Sequence, residues 1–86
     1  MADRRIAVIG IIVENISMAE KVNSILHDFS GYIIGRMGIP YKKEEIGIIS
    51  VVLDAPPDVI STVSGKLGMI PDVSVKSLQS KVLQNK

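Results

Sequence analysis

An α+β domain is what this sequence predicts, on three observations: hydrophobic periods that alternate between strand and helix, a bias toward β-branched residues, and an element order that repeats in the second half. Ile and Val supply 24 of the 86 residues and Leu only 5, a bias toward side chains that pack well on a pleated surface. The length suits one folding unit, because two separate cores would each be too short for burial to offset chain entropy. Ten basic and nine acidic residues leave a formal charge of +1, too little for the counterion release that drives nucleic-acid affinity. Direct DNA or RNA binding is therefore not expected. The sequence has no Cys and one His, so disulfides, thiolate zinc sites, Cys-ligated clusters and His-rich metal sites are excluded. No cofactor is expected.

The first strand is expected over residues 5–14. Arg4-Arg5 followed by the apolar run Ile6 to Val13 has the outline of a signal peptide. The run is only eight residues, meets Glu14-Asn15, lacks a small-x-small cleavage site and is rich in β-branched residues, which favours a buried strand. No segment approaches the ~20 apolar residues that span a bilayer, so no membrane association is expected and the cytoplasm is the expected location. Ser17 stands three residues before Glu20, the spacing of a capping box, so a helix is expected to begin at Ser17. Met18, Val22, Ile25, Leu26 and Phe29 form one apolar stripe that ends near Ser30-Gly31.

A second strand is expected from Tyr32 to Ile39, stopped by Pro40. The charged connector Tyr41 to Glu45 is short enough to reverse the chain into a third strand, Ile46 to Leu53. Asp54-Ala55-Pro56-Pro57-Asp58 supplies proline and early acidic charge for a second helix, with Val59, Ile60, Val63 and Leu67 on one face and Gly68 just beyond its end. Pro71-Asp72 turns the chain into a last strand, Val73 to Leu78. Residues 80–86 are a short, mostly polar C-terminal tail that is expected to fray.

This order is the split βαβ arrangement of ferredoxin-like folds, its halves repeating at an offset of roughly 40 residues. The expected fold is a ferredoxin-like βαββαβ sandwich: a four-stranded antiparallel sheet in order 4-1-3-2 with two helices on one face. Strands one and three are apolar on both parities and belong at the centre, whereas the fourth interleaves Ser74, Lys76 and Ser77 and belongs at an edge. Two-sided apolarity has a consequence. Leaving even four such side chains wet on the helix-free face would forgo roughly 1.5–3 kcal/mol each. The expected cover is a second copy of the chain, as a homodimer or a higher closed assembly, with another protein as the alternative.

The runs Arg5-Ile6-Ala7-Val8-Ile9-Gly10-Ile11-Ile12-Val13-Glu14-Asn15, Ile25-Leu26-His27, Tyr32-Ile33-Ile34-Gly35-Arg36-Met37-Gly38-Ile39-Pro40 and Ser64-Gly65-Lys66-Leu67-Gly68 resemble the small iron-only hydrogenase system regulators. The likeness spans nearly the whole chain, and Tyr32 to Pro40 is its most specific piece. It implies a single ferredoxin-like, ACT-related domain over residues 1–79, similar to the C-terminal effector domain of nickel-responsive regulators, which assembles through its sheets. Nickel regulators use clustered His and Cys ligands, and this chain offers His27 alone, so nickel binding is not carried over. Amino-acid-binding ACT domains usually carry a glycine between the first strand and helix. Here Asn15-Ile16-Ser17 stands in that place, and amino-acid sensing is not carried over either.

Among candidate sites, Ser64-Gly65-Lys66 resembles the end of a phosphate-binding loop but lacks the upstream glycine and falls within the second helix, so nucleotide binding is not expected. Glu14 and Asp54 end adjacent antiparallel strands at opposite ends of the sheet, roughly 25 Å apart by strand rise, too far for an acid–base dyad. His27 sits beside an apolar stripe without a second ligand and reads as a structural or surface histidine. Arg36 interrupts an apolar strand, where a guanidinium needs solvent, an acidic partner or an anion. Gly10, Gly35 and Gly47 mark close backbone approach or a bulge. The turn Glu14 to Ser17, with Asn15, Ile16 and Ser17 at a helix start, is the best small-ligand candidate besides Arg36, because free N–H groups there suit an anion; the competing and favoured reading is that Ser17 and Glu20 consume those donors as a capping box.

The functional expectation is a non-enzymatic regulatory or sensor module that homo-oligomerises through its sheet and acts on transcription through a protein partner, with an effector of unspecified identity. The alternatives are a purely structural oligomerisation domain and a small acylphosphatase-type enzyme. The enzyme would need an Arg in the first strand-to-helix turn, and Glu14 to Ser17 has none. Operator binding of the ribbon–helix–helix kind is not expected, because only a few residues stand before the first strand and no recognition helix is available.

Overall fold

A computed structural model describes residues 3–81. The chain runs β1 (Arg5–Val13), a 3-10 turn (Ile16–Met18), α1 (Ala19–Asp28), a second 3-10 turn (Ser30–Tyr32), β2 (Ile33–Tyr41), β3 (Ile46–Ala55), α2 (Pro57–Gly68) and β4 (Val73–Gln79). The four strands form one antiparallel sheet in the order β2-β3-β1-β4. This is the expected order 4-1-3-2 read from the other edge, in a ferredoxin-like α+β sandwich.

Strand parity decides what is inside. Ala7, Ile9, Ile11 and Val13 of β1 and Ile49, Val51, Leu53 and Ala55 of β3 lie in the core beneath the helices. The β1–β3 register sets them opposite one another, as in Ile9 against Val51 and Ile11 against Ile49. Val22 and Leu26 close the core from α1, and Ile60, Val63 and Leu67 from α2. Met18, Ile25, Phe29 and Val59 pack around them, so both predicted helical stripes face the sheet. The other parity lies open: Ile48 is 39% exposed, against 8% for its neighbour Ile49.

Several boundaries differ from the sequence expectation, each for a physical reason. β2 runs through Pro40 to Tyr41 and does not stop at Ile39. As an edge strand it pairs only with β3, so alternate N–H groups have no ladder partner and a proline there removes no bond. β3 continues two residues beyond Leu53, to Ala55, because it stays paired with β1 out to Arg5–Ala55. α2 begins at Pro57, whose missing N–H would be an orphan at the first helical position, and Gly68 is its last residue and not the residue beyond it. The expected fraying does not include Ser80, whose N–H donates to the Ile6 carbonyl at 2.8 Å while its Oγ accepts from the Ile6 N–H at 3.0 Å. The rest of the expected tail, from residue 82, lies outside the described residues.

At the end of the sheet where β1 begins, Arg4 Nε and Nη2 each donate to Asp54, at 3.0 Å to Oδ1 and 3.0 Å to Oδ2. Hydrogen bonds from this fork hold the Asp54 carboxyl below its ordinary range. A carboxyl whose folded pKa is depressed stabilises the fold above its unfolded pKa and loses that contribution as pH falls through the folded value. Acid titration of wild type and Asp54→Asn followed by circular dichroism is therefore expected to show a shallower loss of stability below the ordinary carboxylate pKa in the variant, and added salt should shrink the difference. Parity gives a second test. Ile49→Lys places an ammonium under the helices and should cost on the order of 4 kcal/mol or prevent folding, whereas Ile48→Lys should keep the wild-type far-ultraviolet spectrum.

Candidate functional site

The exit from β1 is built from local hydrogen bonds. Glu14 N–H donates to the Asp72 carbonyl at 2.8 Å, and the Glu14 carboxylate accepts from Ser74 Oγ at 3.1 Å. Asn15 Oδ1 then accepts both the Ser17 N–H at 3.1 Å and the Ser17 hydroxyl at 2.7 Å. This overturns the expected capping box between Ser17 and Glu20. Asn15 caps a 3-10 turn two residues earlier, and the α-helix proper begins at Ala19 with no side-chain cap. An Asx side chain reaches the N–H two residues on with little ordering cost, so it wins the competition for that donor. Asn15 and Ser17 are thus occupied with each other.

Ile16, between them, is exposed and reaches toward β3. A Cβ placed on Gly47 would stand 3.6 Å from Ile16 Cδ1 and 3.6 Å from Val13 Cβ. The glycine leaves the berth into which the isoleucine tip leans.

Arg36 is the other predicted candidate. It lies on the edge strand β2 and is exposed, as expected, but it turns toward α1. Ile33 pairs with Leu53 and Arg36 with Val51, so three steps along β2 match two along β3. The extra residue is a bulge between Ile33 and Gly35, and it brings Ile33 and Arg36 onto the same, helix-bearing face. There Arg36 Nη2 donates to Asn23 Oδ1 of α1.

This contact spans a groove between α1 and β2. On one side lies an open cleft of about 630 Å³ lined by Asn23, Leu26, His27, Ser30, Ile33 and Arg36. On the other lies a smaller, more apolar recess of about 270 Å³ that shares Asn23 and Arg36 and adds Ile16, Ala19, Gly38, Pro40 and Ile49, among others. Of the four predicted site residues the structure brings Ile16 and Arg36 into one recess, while Asn15 and Ser17 line neither. Sequence alone does not single out Asn23 or Gly38, and it marks His27 as a structural or surface histidine. Asn23 and His27 stand one helical turn apart on the flank of the apolar stripe, a signal available in advance. Which face of β2 meets them depends on the bulge, which simple alternation hides.

Glu14 and Asp54 are at opposite ends of β1 and β3, one beside Val13–Gly47 and the other opposite Ile6. They form no dyad. Ser64, Gly65 and Lys66 are inside α2. Among the described residues no group of three or more His, Asp or Glu side chains could hold a metal ion, and no helix is long and apolar enough to cross a membrane.

These features define the class: a ferredoxin-like domain with one apolar sheet face bare of helices and a polar-headed groove at the edge of the other. Residues 5–77 match the family model described as "TM1266-like: Iron-only hydrogenase system regulator, putative", and the chain belongs to that family. A solved structure of the uncharacterized protein TM1266 from Thermotoga maritima is similar at 40% identity and a TM-score of 0.85, over 91% of this chain and 99% of that one. A structure of CPII bound to ADP, AMP and acetate, from Thiomonas intermedia K12, is similar at 17% identity and a TM-score of 0.47, over 93% of this chain and 92% of that one. No curated protein matches the chain.

The two capping schemes make different demands on mutants. Asn15→Ala should lower stability by about 1 kcal/mol in urea unfolding, the usual cost of losing such a cap, while Glu20→Ala, which removes the acceptor a capping box would need, should change it by less than about 0.5 kcal/mol. The reverse ranking would restore the capping box.

Proposed function

We propose that this chain is a non-enzymatic regulatory module of an iron-only hydrogenase system, whose copies associate through the helix-free sheet face and which acts on transcription through a protein partner in the cytoplasm. The observation that carries this reading is the open face itself. Val8, Ile12, Met37, Ile39, Tyr41, Ile48 and Leu78 are exposed there, Met37 at 57% and Leu78 at 73%. Four strands at about 4.8 Å spacing and about eight residues at about 3.3 Å rise give a face of roughly 500 Å² in projection. That is the scale of the ~800 Å² of accessible surface each partner buries in a standard interface.

A second copy suits this face better than a foreign partner. Along β1 and β3 it is aliphatic from Ile6 to Ile12 and from Ile46 to Val52, broken only by Gly10 and Ser50, so either copy offers what the other needs. A two-fold axis through such a patch closes the assembly at two, and a net charge of +1 sets up little repulsion between copies. Ile16 and Arg36 are the effector contacts in this reading, and a regulator is favoured over a purely structural module because the groove they share has a cationic head. The lack of an Arg in the Glu14 to Ser17 turn and the separation of Glu14 from Asp54 support a non-enzymatic role.

Light scattering on the purified chain should give at least a dimer at micromolar concentration. Ile48→Lys, at the centre of the face opposite both Ile12 and Ile39, should weaken association by about 2 kcal/mol or more, roughly thirtyfold in Kd. A wild-type chain that stays monomeric while folded defeats the assembly reading.

A further inference from the structure

The groove between α1 and β2 has two unlike halves joined at one cation, and that arrangement specifies a ligand. From Arg36 toward the C-terminal end of α1 the lining is polar: Asn23, His27 and Ser30 over the side chains of Leu26 and Ile33. From Arg36 toward the start of α1 it is mainly aliphatic, with Ile16, Ala19, Gly38, Pro40 and Ile49. Neither lining contains an acidic residue, and among the described residues no carboxylate is paired with Arg36. A guanidinium carries five N–H donors, of which Asn23 takes one. That bond holds the planar fork in place, which lowers the ordering cost of binding an anion.

We propose that this groove binds a small aliphatic carboxylate, its carboxyl group held bidentately by Arg36 beside His27 and its chain lying in the recess over Gly38. One arginine matches one carboxylate in geometry and charge. Phosphate fits less well, because the lining offers no second arginine or lysine and one half of the groove is apolar. Gly38 is where the chain passes. A Cβ built there would meet nothing within 4 Å, and Gly38 shares the helix-bearing face with Arg36 through its pairing with Ile49. The site deepens the regulatory reading, on which its use in the cell rests, while its occupancy is measurable on its own.

The test is a binding titration of the full chain with hexanoate, acetate, 1-hexanol and inorganic phosphate, followed by thermal shift and by backbone amide NMR. Hexanoate should raise the melting temperature most and move the signals of Asn23, His27 and residues 36–40. Arg36→Gln should weaken hexanoate by about tenfold, the scale of one lost charge-assisted pair. Gly38→Val, which suits a strand and has room for its side chain, should fold normally and weaken hexanoate while leaving the acetate response unchanged. The proposal fails if 1-hexanol or phosphate equals hexanoate, if about 50 mM hexanoate gives no response, or if the shifted signals are those of Val8, Ile12 and Leu78. It also fails if either variant binds as wild type does. Light scattering on the same samples separates the two readings: an assembled chain that ignores hexanoate defeats this site alone, and a monomer that binds it defeats the assembly alone.

Discussion

Everything in this small fold depends on keeping water from the inner parity of two strands. Ala7, Ile9, Ile11 and Val13 meet Ile49, Val51, Leu53 and Ala55 across the β1–β3 ladder, and the two helices lay Val22, Leu26, Ile60, Val63 and Leu67 over them. A domain of this size keeps only a small surplus of burial over chain entropy. These two central strands cannot slip by one residue without exchanging a packed face for an open one. The register is therefore as much a product of the core as of the backbone hydrogen bonds.

The same two strands create the functional problem. Their second parity is nearly as aliphatic as the first, which packing under the helices does not require. In a solitary antiparallel sheet with one wet side, polar residues would alternate with apolar ones. Here Ile6, Val8 and Ile12 stand beside Ile46, Ile48 and Val52 on the outer side, and serine and lysine are confined largely to the flanking positions of β4. The bare face is thus a property of the sequence pattern as well as of the fold.

That pattern explains why the fold was legible in advance. The strand and helix periods, the two proline-marked turns and the polar fourth strand fixed element order and sheet order, since the core of such a domain is coded by spacing. The site was only half legible. Arg36 stood out as a charge in an apolar strand, and Ile16 as part of the turn after β1. Their meeting was hidden, because it requires an added residue near Ile34 that resets the parity of β2 and a 3-10 turn ahead of α1. Ser17 and Glu20 matched a capping pattern, yet Asn15 was nearer to the donor and took it. Competition among neighbouring polar side chains over a few ångströms is settled by backbone geometry that spacing alone does not specify.

The alternation of β2 carries one last implication. Arg36 and Gly38 look into the groove while Met37 and Ile39, interleaved with them, look out from the opposite side of the sheet. Four consecutive residues are thus stitched through the layer like a hem, two to each side. If an occupant of the groove alters association at the opposite face, thermodynamic reciprocity requires that association alter the occupant's affinity by the same factor. An edge strand tethered along one margin only is the natural place for such an exchange of influence.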